Sequence, residues 1–288
     1  MRAITLLGLM VSCLSCNGTD EGSTALSGPA GWEGVYQSLR YRGLVSDAIK
    51  LANSVAAAST EYELCEGWEN ASNGCIPVHV VQSTAFDETD VSFVPADSRA
   101  IFLNADGIPY LKKQLVGDAA GVVPVDPSHP VAFVLLHELG HMENEDSRPF
   151  VAGGPLTRLD VETIEAHGRH PELMADRFAA GCIRRASSSS ESRHAFAGSA
   201  LAMSVQLFSW NISANRTNQS IGSLATGSRE ATWDRGYTHP NIELRFLITN
   251  HFILPTDASR ELLSNFLLAR QGSSSLNLIK PDGVNDAP

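Results

Sequence analysis

The segment His137-Glu138-Leu139-Gly140-His141 constrains this chain more than any other. Two imidazoles four residues apart lie on one face of an α-helix, about one turn apart. Both can then reach a single divalent metal ion, with the Glu138 carboxylate beside it, toward the open coordination position. The flanks support a helix. Val131-Ala132-Phe133-Val134-Leu135-Leu136 runs straight into His137, as expected of a helix buried inside a domain. Pro130 suits a first helical position and Ser128 an N-cap. Polar Glu143-Asn144-Glu145-Asp146 and then Pro149 end the pattern. The bland alternative is a core helix that happens to carry two histidines. The cost of burying ionisable groups without partners argues against it.

The spacing is the HExxH signature of helical zinc hydrolases, in which the glutamate serves as general base for a metal-activated water. Such sites use three protein ligands. The arrangement HExxHxxGxxH is excluded, because Asn144 and Ser147 stand where its glycine and last histidine belong. Downstream comes Pro171-Glu172-Leu173-Met174-Ala175-Asp176-Arg177-Phe178-Ala179-Ala180. Pro171 suits the first turn of a second helix. Glu172 and Asp176 share a face of it, one as a carboxylate ligand and the other as an acid able to orient a ligating histidine. Glu162, Glu165, His167 and His170 lie between the two helices, and Glu165-Ala166-His167 can supply a ligand from a loop. Glu172 is preferred for its helical context and for the acid at i+4.

HELGH followed by ELMAD resembles the gluzincins, zinc peptidases with HExxH and a glutamate on a second helix. The ExxAD form is similar to the subgroup of the CAAX prenyl endopeptidases and the HtpX-like and periplasmic quality-control peptidases. The resemblance implies that His137, His141 and Glu172 bind one Zn²⁺ per chain, that Glu138 is the base, and that Asp176 orients a ligand from behind. Thr238-His239-Pro240-Asn241-Ile242-Glu243-Leu244-Arg245 is similar to that subgroup's downstream S/T-H-P…R motif. By that likeness His239 and Arg245 approach the zinc cleft. His239 would donate to the oxyanion or act as a removable fourth ligand in a latent state. The alternative is a helix start with Pro240 in its first turn. The implied fold is α+β, a mainly helical zincin-like domain with a small sheet beside the active-site helix. The resemblance runs over residues 90–250. The 31 residues from His141 to Glu172 are fewer than in many members. Most membrane members also carry several transmembrane helices, and this chain shows none beyond its N-terminus.

Residues 1–16 read as a secretory signal, with Arg2 as its positive start and a short apolar run from 3 to 11. The run is too short to span a bilayer stably. Cys13-Leu14-Ser15-Cys16 followed by Asn17-Gly18-Thr19-Asp20 resembles a bacterial lipoprotein cleavage site. Cys16 is the favoured lipidation site and Cys13 the alternative; an ordinary cleaved signal would release the protein outright. Export implies oxidising conditions, so Cys65 and Cys75, which flank a turn-rich stretch, are expected to pair. Cys182 has no evident partner and reads as a small buried hydrophobe. With net charge −11 and no basic cluster longer than Arg184-Arg185, nucleic acid is excluded as a partner. Membrane contact is expected only through an N-terminal lipid.

The chain divides into the signal at 1–16, a Gly/Ser/Thr-rich tether at 17–31, a metallopeptidase domain at 32–271 and a polar tail at 272–288. Within the domain, 44–58 has helical spacing, and 76–81 and 99–104 are strand-like. A strand just before the active-site helix would form an edge for an extended peptide. A Ser-rich loop at 186–192 precedes helices at 195–210, 242–251 and 258–269. The leading functional expectation is a zinc endopeptidase of the bacterial cell envelope or the exterior, acting on peptides or unfolded protein. The rivals are a non-proteolytic envelope scaffold or chaperone with a latent zinc site, and a hydrolase of non-peptide amides. An intact Glu138 and the lack of cysteines near HELGH argue against a purely structural zinc.

Overall fold

The computed structural model describes residues 24–25, 36–67, 74–82, 91–94, 99–116, 125–144, 158–217 and 242–260. In chain order the elements are β1 (Thr24–Ala25), β2 (Tyr36–Gln37), α1 (Arg42–Ala56), β3 (Leu64–Glu66), β4 (Ile76–Gln82), β5 (Ser92–Phe93), β6 (Ile101–Asn104), α2 (Gly107–Val116), α3 (Ser128–Glu143), α4 (Arg158–Ser187), α5 (Ser192–Thr217) and α6 (Ile242–Ile253). The fold is α+β, mostly helical, with one small mixed sheet.

The sheet is built around β4. Along one edge β4 pairs with β6 in parallel, from Val78↔Ile101 to Val81↔Asn104. Its other edge is shared by β3, parallel at Leu64↔Ile76 to Glu66↔Val78, and β2, antiparallel at Tyr36↔Gln82 and Gln37↔Val81. The Cys65–Cys75 disulfide joins β3 to the residue just before β4, with Cα atoms 5.8 Å apart. Beyond β6 lies β5, antiparallel through Ser92↔Leu103 and Phe93↔Phe102. The edge next to α3 is therefore β5. The strand expected there, 99–104, lies inside the sheet as β6, and helix α2 separates it from α3. Two ladder positions are too few to show as a period-2 pattern, which is why β5 does not stand out in the sequence.

Helix α3 is the centre of the molecule. Pro130 to Phe133 and Leu135 to His141 are all buried, so the helix is surrounded rather than amphipathic. Leu135, Leu136 and Leu139 are fully enclosed, each contributing about 1.5–3 kcal/mol of burial. Helices α1, α4 and α5 pack around it. At its first turn the cap falls to Asp126 rather than Ser128: Asp126 Oδ1 accepts from Ser128 N (2.9 Å) and Ser128 Oγ (2.7 Å). Ser128 is itself the first helical residue. At the far end Tyr62 donates to Glu143 Oε2 at 2.8 Å, and α3 stops at Asn144.

Pro171 does not start the second helix. Helix α4 begins at Arg158, and Pro171 lies inside it. Proline's fixed φ is compatible with a helix, but its nitrogen makes no i→i−4 bond and its ring crowds the carbonyl of residue 167, a cost of about 3 kcal/mol that the packing of α4 must offset. Glu162, Glu165, His167 and His170 therefore sit on α4, not on a connecting loop. Helices α1 and α6 fall close to their expected spans, while α5 begins three residues earlier and ends seven residues later than expected. Of the helix expected at 258–269, residues up to 260 are described and are helical, and the rest lies outside the described residues. The segments assigned to signal and tail also lie outside them.

Candidate metal centre

The site forms where α3 and α4 come closest. At Gly140 a Cβ would stand 2.7 Å from Ala175 Cα and 2.9 Å from Ala175 O. Glycine is therefore required for this approach. It brings the histidine pair of α3 against Glu172 and Asp176, the acids on either side of Ala175. All four side chains are buried.

His137 and His141 meet with their rings perpendicular and their Nε2 atoms 3.0 Å apart. The Glu172 carboxylate straddles them, with Oε2 3.2 Å from His137 Nε2 and Oε1 3.4 Å from His141 Nε2. Zn–N and Zn–O bonds of about 2.0–2.1 Å in a tetrahedron imply ligand–ligand edges of roughly 3.3 Å. The observed separations, two of them to different oxygens of the one carboxylate, lie close to that edge length. Two imidazoles and a carboxylate, held around one point, form a buried group able to hold a metal ion.

Behind this face lies a charged clamp. Asp176 Oδ1 is 2.8 Å from His137 Nδ1. A carboxylate can only accept, so Nδ1–H donates and Nε2 is left as the nitrogen facing the cluster. Arg245, from α6, grips the same carboxylate along one edge of its guanidinium: Nε donates to Oδ2 at 2.7 Å and Nη2 to Oδ1 at 2.8 Å. Its Nη1 also stands 3.3 Å from Glu172 Oε2. The position of α6 follows from the next residue, Phe246, which packs against Phe133 of α3 and Phe208 of α5 at centroid distances of 5.6 and 6.1 Å.

The electrostatics follow from this packing. Burial alone would push the Asp176 carboxyl up, but Arg245 and His137 outweigh it and hold it at about 2. Burial pushes Glu172 up as well; Arg245, His137 and His141 reverse that and keep it well below the usual carboxylate range. Both acids are therefore anionic. For His137, burial and the Arg245 charge act downward, yet Asp176 and Glu172 prevail and raise it to about 9. The metal-free imidazole thus carries a proton that a metal ion must displace.

Glu138 is buried beside His137 and accepts a hydrogen bond from Ser92 Oγ at 2.6 Å. Ser92 does not stand out in the sequence: it sits on the two-residue strand β5, outside any motif. His239 lies outside the described residues, as does Cys16. For Glu162, Glu165, His167 and His170 the structure describes the backbone alone. Glu165 is seven residues before Glu172, about 10 Å along the helix axis. The remaining described histidines have structural surroundings. His79 stacks on Phe102 at 5.0 Å, His129 Nδ1 meets Ser204 Oγ at 2.5 Å, His251 Nδ1 meets Ser259 Oγ at 2.9 Å, and His194 lies 3.4 Å from Glu191. Cys182 is buried, and burial pushes its thiol pKa up, away from nucleophilic use.

No family model, curated protein or solved structure matches this chain. Among the described residues, no helix is long and apolar enough to cross a membrane.

Proposed function

We propose that this chain is a zinc-dependent endopeptidase of the gluzincin kind, exported to the bacterial cell envelope or beyond it, with one Zn²⁺ held by His137, His141 and Glu172. The observation that carries this reading is a buried His-His-Glu group with a glutamate, Glu138, one residue along from its first ligand. When bound, such a zinc lowers the pKa of a water toward ~7 and polarises the substrate carbonyl. Glu138 would take a proton from a water at the open position beside it and return that proton to the leaving amine. Asp176 keeps His137 in the tautomer that turns Nε2 toward the cluster, and Arg245 holds Asp176 in place. From its motif, His239 is assigned as a donor to the oxyanion of the substrate. The alternative of a latent structural zinc does not explain a base beside the ligands. The Cys65–Cys75 disulfide supports an oxidising compartment, and the lipoprotein-like cysteine at 16 fits a lipid anchor there.

The test is direct. The purified protein should contain about one zinc per chain and digest casein or an unfolded protein, with loss of activity on chelation and recovery on zinc addition. Glu138→Gln should keep the zinc and lose at least ~10²-fold in kcat, the scale of a general-base contribution. Unchanged turnover in that variant removes Glu138 from the reaction, and a zinc-loaded wild type that cleaves nothing removes the peptidase reading.

A further inference from the structure

Glu138 has three side-chain torsions, and burial alone does not choose among them. What orients it here is Ser92. The 2.6 Å separation of Ser92 Oγ from Glu138 Oε1 is that of a hydroxyl donating to a carboxylate, among the stronger neutral-to-charged hydrogen bonds. The donor is itself held. Ser92 lies opposite Leu103 in the β5–β6 ladder, and Leu103 is fully buried in the core. Among the described residues, this hydroxyl ties the sheet to the active-site helix; it takes one carboxylate oxygen and leaves Oε2 as the other acceptor.

We propose that Ser92 is a positioning residue: it fixes the Glu138 carboxylate so that its second oxygen is the one presented to the attacking water. This rests on Glu138 being the base of a peptidase. It goes further in giving β5 a role in the chemical step. A tie that merely fastens the sheet to α3 would alter stability and leave turnover alone. A positioning residue alters kcat, because a misplacement of about 1 Å can cost on the order of 10²-fold in rate.

Two measurements on the full zinc-loaded chain separate these. In kinetics, Ser92→Ala should lower kcat by about 10–100-fold, with KM and zinc content near wild type. Ser92→Thr keeps a hydroxyl on a strand-favouring side chain and should restore most of that loss. In denaturant unfolding, a double-mutant cycle of Ser92→Ala with Glu138→Ala reads the bond without any turnover. It should show a coupling of about tenfold or more in the unfolding constant, as for a hydrogen bond to a charged group. A coupling near unity, wild-type kcat in Ser92→Ala, or a Ser92→Thr enzyme as slow as Ser92→Ala each overturns the positioning role. A rise in KM at unchanged kcat overturns it too, in favour of a substrate contact. If the cycle shows the coupling while the zinc-loaded wild type cleaves no peptide, the bond is real. The peptidase reading then fails, and the catalytic use of Ser92 fails with it.

Discussion

The two sides of the metal centre are held very differently. On the ligand side, His137 is backed by Asp176, Asp176 by two guanidinium bonds from Arg245, and each of these comes from a different long helix packed in the core. On the base side, among the described residues, Glu138 accepts from a hydroxyl on a strand of two residues. The ligand set needs a rigid geometry and a permanent charge pattern, since a metal selects for both. The base needs to accept and release a proton, so a neutral hydroxyl in direct contact suits it better than a contacting cation; the Arg245 charge reaches Glu138 only through its field.

The largest effect is expected at the ligands. Glu172→Ala should abolish stoichiometric metal, a larger loss than the 10–100-fold in affinity typical of an outer partner and expected for Asp176→Asn. Glu165→Ala should leave metal content unchanged. Metal analysis of purified variants decides, and a metal content that tracks Glu165 would displace Glu172 from the site.

Next comes the clamp. Arg245→Ala leaves Asp176 and Glu172 buried as two anions with the His137 imidazolium in place of the two cations they had. Breaking such a buried pair from one side costs about 3–5 kcal/mol. Denaturant unfolding of the metal-free variant should show that loss, whereas Ser92→Ala should cost far less. Equal losses would mean that the two sides are held alike.

The metal-free protein also carries a pH signature. The folded His137 is raised to about 9, above its ordinary value near 6.5, so its proton stabilises the fold fully below 6.5. That contribution, on the order of 3 kcal/mol, is lost as pH rises from 6.5 to 9. Chelated protein should therefore melt at progressively lower temperature over that window. Metal-loaded protein should not, because the ion replaces the proton. A flat Tm in the chelated protein would mean that Asp176 and Glu172 do not hold the imidazole charged.

The smallest effect is expected at the helix crossing. Gly140→Ala gains up to about 1 kcal/mol of helix propensity, but its methyl meets Ala175 backbone atoms at 2.7 and 2.9 Å. Backbone cannot rotate away, so overpacking should win, with a net loss of about 1–3 kcal/mol and weaker metal binding as α3 and α4 separate. A more stable variant with intact zinc would mean that α3 and α4 can part at Gly140 without loss.

How much of this was legible in the chain divides along one line. Local patterns were enough for α3, with its apolar run and its two histidines one turn apart, for α1 and β4, for the pairing of Cys65 with Cys75, and for placing Glu172 and Asp176 on one helical face. Those features depend on residues a few positions apart, and helix and strand periods encode them directly. Local pattern misled at Pro171, where a proline that favours a helix start lies inside α4, its cost borne by the packing of the helix on either side. It also misled at 99–104, since sequence reveals a strand but not its neighbours. Ser92 and the grip of Arg245 on Asp176 were beyond it. The first pairs with a residue 46 positions away and the second with one 69 positions away. Neither separation carries any period. The sequence by itself determined which side chains could serve a metal. Tertiary packing decided which of them share a site, because the closeness of α3 to α4 at Gly140 and the seating of Phe246 against Phe133 and Phe208 set distances that no local rule contains.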